Sequence, residues 1–180
     1  NEDPSTCSGD SADATLAYLL EQNDDPNSVF YQKVDTAHIG ITGHSQGGVG
    51  VFNAVTQQPH GNLYTCAVSL SPTEMELADA IGLHYEPDKM TVPTLLLAAD
   101  ANDVITPEGA QKVYDAMTVP KAMALRSGMD HGKMLYSADG YVTAWFLYWL
   151  TEDEASGRAF MGEESELLNN PLYSEQKTNG

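Results

Sequence analysis

Basic residues are scarce in this chain. Its 180 residues carry 8 Lys and Arg against 26 Asp and Glu, a formal net charge of −18. Such an excess repels phosphate backbones and anionic lipid, so nucleic acid is not expected as a partner. Cysteine is nearly absent, with only Cys7 and Cys66. Neither lies in a Cys-x-x-Cys pair and no His/Asp spacing suggests ligands, so neither a metal nor a redox cofactor is expected. One disulfide and two thiols are both open readings of the pair. No apolar run approaches the roughly 20 residues that a membrane-crossing helix needs. The chain opens on Asn1 rather than Met and carries no visible signal peptide, so its start is read as a processed or cut end.

What is present is a hydrophobic content of 42%, enough at this length for one domain with a real core. Residues 1–11 read as a polar segment without core signal. A helix is expected over 12–22, capped by Ser11. Short apolar runs at 36–42, 65–70, 94–99 and 121–126 read as four buried strands. Helical patterns over 49–57, 107–117 and 140–150 lie between or after them, with a short helix or lid over 74–82. Thr106 and Pro107 form a cap-and-first-turn signal. Val142, Trp145, Phe146 and Trp149 share a helical face and read as core. Residues 151–180 form an acidic extension with apolar anchors at Phe160, Leu167, Leu168 and Tyr173. Strands alternating with helices predict an α/β fold, a mainly parallel sheet flanked by helices, over a core at 12–150.

One motif carries chemistry. Gly43-His44-Ser45-Gln46-Gly47-Gly48 follows an apolar strand and precedes a helix, the context of a nucleophile elbow. Gly43 and Gly47 are expected where neighbouring backbone comes too close for a Cβ. The competing reading is a Gly-rich turn whose serine merely caps the helix.

A serine nucleophile needs a base and an orienting acid, and in parallel sheets such groups sit at carboxyl ends of strands. The run Leu95–Ala99 ends in Asp100-Ala101-Asn102-Asp103, and Asp103 is the chosen acid. Asp100 is the rival, or a residue that holds the loop. The strand at 121–126 is followed by Ser127-Gly128-Met129-Asp130-His131-Gly132. His131 is the one histidine after Asp103; His38, His44, His60 and His84 all precede it. The predicted triad is Ser45, His131 and Asp103, with the backbone N–H of Gln46 as an oxyanion donor. His44, Thr73 and Met129 are candidate substrate contacts.

These residues resemble the α/β-hydrolase superfamily, and within it the dienelactone-hydrolase, cutinase and polyester-hydrolase group. That group commonly reads G-H-S-M-G-G at the elbow and N-D-x-I-A-P at the acid loop. Here the loop is Asn102-Asp103-Val104-Ile105-Thr106-Pro107, which favours Asp103 over Asp100, and Val92-Pro93-Thr94-Leu95 matches a shared strand start. The resemblance runs from about Ala12 to Leu150 and implies a serine carboxylic ester hydrolase, acting through an acyl-enzyme on a small or polymeric ester.

Two departures stand out. Relatives usually carry a long stretch before the elbow, with a loop holding the second oxyanion donor; no H-G-G-G-like loop precedes Gly43 here. The chain is therefore expected to be the C-terminal part of a longer enzyme, to take those strands from a second polypeptide, or to be a non-catalytic binding or scaffold domain. Without them the strand at 36–42 would have an unpaired edge. Aromatic-polyester hydrolases also tend to read S/T-P-W after the next strand, where this chain has Ser71-Pro72-Thr73. Acidity, the cysteine pair and the resemblance favour an extracellular or cell-envelope location over the cytoplasm.

Overall fold

The computed structural model describes residues 4–179. The elements run α1 (Pro4–Ser8), α2 (Asp10–Asp24), β1 (Ile39–His44), α3 (Gln46–Thr56), β2 (Tyr64–Leu70), α4 (Met75–Ala80), β3 (Thr94–Ala99), α5 (Pro107–Ala116), β4 (Lys121–Arg126), α6 (His131–Ser137), α7 (Asp139–Thr151), α8 (Glu154–Gly157), α9 (Glu166–Asn169) and β5 (Tyr173–Thr178). The strands form one sheet in the order β1-β2-β3-β4-β5. The first four are parallel and β5 returns antiparallel to β4. This is the α/β architecture expected, a mostly parallel sheet between helices.

The strand pleat sorts the core into two layers. Successive side chains point to opposite faces. Ala67, Leu96, Ala98, Met123 and Leu125 join Val51, Phe52, Ala110 and Val113 of α3 and α5 on one face. Cys66, Val68, Leu95, Leu97, Ala122 and Ala124 meet Met134, Tyr141 and Trp145 of α6 and α7 on the other. Burial on both sides explains why these strands read as near-continuous apolar runs. Tyr141 and Trp145 are the buried residues of α7, while Val142, Phe146 and Trp149 pack half-buried beside them.

Several local expectations are corrected. The first strand starts at Ile39 rather than 36, because the Asp35 carboxylate accepts from the Ala37 amide and pairs with the His38 ring, closing a turn there. Gly9 in the left-handed region, not Ser11, precedes the first long helix. The stretch 1–11, of which residues 1–3 lie outside the described residues, does reach the core from α1: Cys7 is buried, and α1 lies against α3 so closely that a Cβ on Gly50 would stand 2.0 Å from the Thr6 carbonyl oxygen. The tail supplies a fifth strand and buries Phe160 and Leu167 completely. Thr106 caps α5 as expected, its Oγ1 accepting from Gly109 N–H at 3.0 Å.

Cys7 and Cys66 belong to clusters on opposite faces of the sheet and are not bonded to each other. Burial pushes the Cys66 thiol from 9.0 up to about 12. Among the described residues β1 has no strand on its outer edge. A groove of about 450 Å³ runs along it, walled by Leu16, Leu19, Ile39, Ile41, Val51 and Tyr64. No helix among the described residues is long and apolar enough to cross a membrane.

Candidate active site

Ser45 lies between β1 and α3 with φ 60° and ψ −120°. A non-glycine residue held there costs about 1–3 kcal/mol, and the surrounding turn must impose it. Gly43 shows how tight that turn is: a Cβ on it would sit 2.1 Å from the Gly47 carbonyl oxygen. Gly47 is different from expectation. A Cβ there would meet only Thr6 Cγ2, at 3.9 Å, so its backbone crowds Gly43 while its own side-chain position has room.

Although Ser45 occupies the cap position of α3, its side chain makes no capping hydrogen bond. The hydroxyl instead lies 2.9 Å from His131 Nε2. His131 Nδ1 lies 2.7 Å from Asp103 Oδ1. An ionised carboxylate only accepts, so Nδ1 carries the ring proton and Nε2 presents its lone pair to Ser45. The Asp103 side chain is 2% exposed and that of His131 25%, so the acid is sealed while the imidazole reaches solvent.

Asp103 receives four hydrogen bonds. Oδ1 accepts from His131 and from Val104 N–H at 2.7 Å. Oδ2 accepts from Ala99 N–H at 2.7 Å and from the Ser71 hydroxyl at 2.6 Å. Asp100 is occupied elsewhere: its Oδ1 accepts from Gly128 N–H at 3.0 Å and ties the acid loop to the histidine loop. A second tie joins His131 N–H to the Asn102 carbonyl at 3.3 Å. The histidine loop is also shorter than the sequence suggests. Asp130 caps α6 by accepting from Lys133 N–H, and His131 is its first residue.

Gln46 is the first residue of α3, and first-turn amides have no partner within their helix, so its N–H suits an anion beside Ser45. His44 donates from Nε2 to the His131 carbonyl at 2.8 Å, with the two ring centroids 4.5 Å apart. Thr73 is buried and its carbonyl accepts from the Tyr85 hydroxyl. Met129 packs against the cluster under α7, its sulfur accepting from the Ser137 hydroxyl. The remaining histidines pair with other carboxylates: His38 with Asp35 and His84 with Asp79 at the surface, and His60 with the partly buried Asp13. Among the described residues no cluster of His, Cys, Asp and Glu could hold a metal ion.

The chain matches the family described as PET hydrolase-like (PETase) over residues 1–177. It belongs to that family. Membership makes it an α/β-hydrolase-type hydrolase of ester substrates, and the match extends well beyond the 12–150 stretch that the motifs carry. It lends no support to a second polypeptide. Comparison with curated proteins gave no match.

Sequence reasoning reached Ser45, Asp103 and His131 through motif context but missed two contacts around them. Ser71-Pro72 reads as a strand stop and as the start of the S/T-P-W context, and nothing local signals that the Ser71 hydroxyl faces an acid 32 residues downstream. The bond from His44 to the His131 backbone spans 87 residues and is equally invisible to local pattern.

Proposed function

We propose that this family member is a serine carboxylic ester hydrolase working through an acyl-enzyme. The observation that supports it is the line from Ser45 Oγ through the His131 ring to Asp103, built on a strained serine that caps nothing. In this reading Ser45 Oγ attacks the ester carbonyl carbon and its proton passes to His131 Nε2. The Gln46 N–H stabilises the negative oxygen of the tetrahedral intermediate. The C–O bond to the alcohol then breaks, and His131 returns the proton to that leaving oxygen. Water attacks the acylated serine by the same steps in reverse, releasing the acid and restoring the hydroxyl. Asp103 stays ionised throughout, holding the tautomer and stabilising the imidazolium.

We also propose aliphatic esters over terephthalate esters as substrates. Thr73 follows Pro72 here, so no aromatic side chain stands at that position to stack on a substrate ring.

Intact mass measurement after treatment with a fluorophosphonate, alongside hydrolysis of p-nitrophenyl acetate, tests the mechanism. One adduct, absent in Ser45→Ala, with a loss of kcat on the order of 10⁴–10⁶ is expected. Equal turnover by wild type and Ser45→Ala would sink it. A terephthalate diester hydrolysed as fast as an aliphatic one would overturn the substrate preference alone.

A further inference from the structure

Four neighbouring strands end on the same side of the sheet, and only three of them supply the proposed triad. β1 leads to Ser45, β3 to Asp103 and β4 to His131. β2, lying between β1 and β3, leads to Ser71. This serine is fully buried and sits at φ 43°, a conformation that L side chains seldom adopt. Its amide is anchored on the Leu97 carbonyl at 2.8 Å. Its hydroxyl donates to Asp103 Oδ2 at 2.6 Å, since the carboxylate can only accept. Of the four donors on Asp103 two are backbone amides and one is His131, which leaves Ser71 as the other side chain.

We propose that Ser71 is a positioning residue for the triad, acting on His131 through Asp103. The proposal rests on the triad reading above. Its hydroxyl holds Oδ2 so that Oδ1 stays in line with His131 Nδ1. It also draws negative charge away from Oδ1, because a short charge-assisted hydrogen bond stabilises the ionised acid. Losing it leaves a looser and more basic carboxylate. His131⁺ is then held more tightly, and the acid limb of the kcat/KM profile moves to higher pH. The other charged and titratable groups around the pair are His44 from β1, Asp100 of the acid loop, which accepts from Gly128 N–H, and the pair of Asp130, the cap of α6, with Lys133. Glu74, whose amide donates to the Val104 carbonyl and whose side chain accepts from Thr106 N–H, lies on the far side of the acid loop. None of these changes when only the Ser71 hydroxyl is removed.

Two variants separate the hydroxyl from the backbone. Ser71→Ala removes the donor but keeps a Cβ in the strained conformation. Ser71→Gly removes the donor and relaxes the strain. Both are expected to lower kcat about tenfold on p-nitrophenyl acetate, with KM within about twofold, as for loss of one hydrogen bond to a charged group. Both should also move the acid limb upward. A readout free of turnover is the His131 imidazole titration and its low-field Nδ1–H signal followed by NMR, and both variants should shift them. Wild-type kcat in both variants with an unmoved His131 titration would overturn the proposal. So would a loss in Ser71→Ala that Ser71→Gly restores, which would assign the effect to backbone strain. If wild type shows no Ser45-dependent turnover the triad reading fails instead, and the NMR titration still decides whether Ser71 acts on the Asp103–His131 pair.

Discussion

Asp103 takes two hydrogen bonds on each carboxylate oxygen, and this makes its chemistry unusually intolerant of an amide. In Asp103→Asn one oxygen becomes an NH₂ that can only donate. Placed toward Ala99, it meets a backbone N–H. Placed toward His131, it meets the Val104 N–H and forces Nδ1 to become an acceptor, which puts the ring proton on Nε2 and, in the proposed mechanism, leaves Ser45 without a base. Either orientation leaves a buried donor unsatisfied, at about 1–3 kcal/mol. Asp103→Asn is therefore expected to stay folded with a lowered urea midpoint and to lose kcat on the order of 10³–10⁴. Urea unfolding followed by circular dichroism and steady-state kinetics on one preparation check both halves. Near-wild-type turnover would mean that the ring is oriented by something other than this carboxylate.

At the scale of elements, the C-terminal stretch is where polarity misleads. Tyr173–Thr178 reads Tyr-Ser-Glu-Gln-Lys-Thr, too polar for a buried strand, yet it pairs antiparallel with β4. An edge strand needs only one apolar side, and charged residues such as Glu175 and Lys177 discourage further pairing. Just before it, Leu167 is completely buried beside Trp145, Phe160 and Tyr173. Leu167→Ala should consequently cost about 2–5 kcal/mol, as for a core position. Equilibrium urea unfolding measures this, and a change below about 0.5 kcal/mol would show that the tail is only draped over the surface. Element positions elsewhere were legible for a simple reason. β3 and β4 are apolar runs bounded by turn residues, and α5 carries its own cap, so local signals suffice. β1 was misplaced at its start because the Asp35 turn competes with the ladder, and α6 went unread because it is short and opens on the loop that holds His131.

Taken whole, the molecule buries several groups in their neutral forms. Burial raises Cys66 from 9.0 to about 12 and Tyr141 from 10.0 to about 12, and raises Tyr85 as well. In the unfolded chain these groups lose protons from about pH 9–10, whereas in the folded protein they hold them to higher pH. Above that point the unfolded state binds fewer protons, so stability falls as pH rises. It should be intact below about pH 9 and decline between about 9 and 12. Urea midpoints at pH 8, 10 and 11 test this, and Cys66→Ala should show a shallower decline. A midpoint that stays flat to pH 11 would contradict the neutral burial of these groups.

The lack of a long apolar run argued against a membrane-crossing helix among these 180 residues, and strand-to-helix context was enough to place a serine, an acid and a histidine each just beyond a strand. Those features are local: they rest on runs, caps and turns only a few residues long. The pairing of Ser71 with Asp103, the grip of His44 on the His131 backbone, the burial of Cys7 and Cys66 on opposite faces and the fifth strand are not local. Each depends on residues far apart in the chain: the order β1-β2-β3-β4-β5 sets the ends of β2 and β3 side by side, so that Ser71 meets Asp103, whereas His44 meets His131 because the chain after β4 returns past β3 and β2 to the end of β1. Sequence pattern marks which residues end a strand; sheet order and register set which of those ends become neighbours.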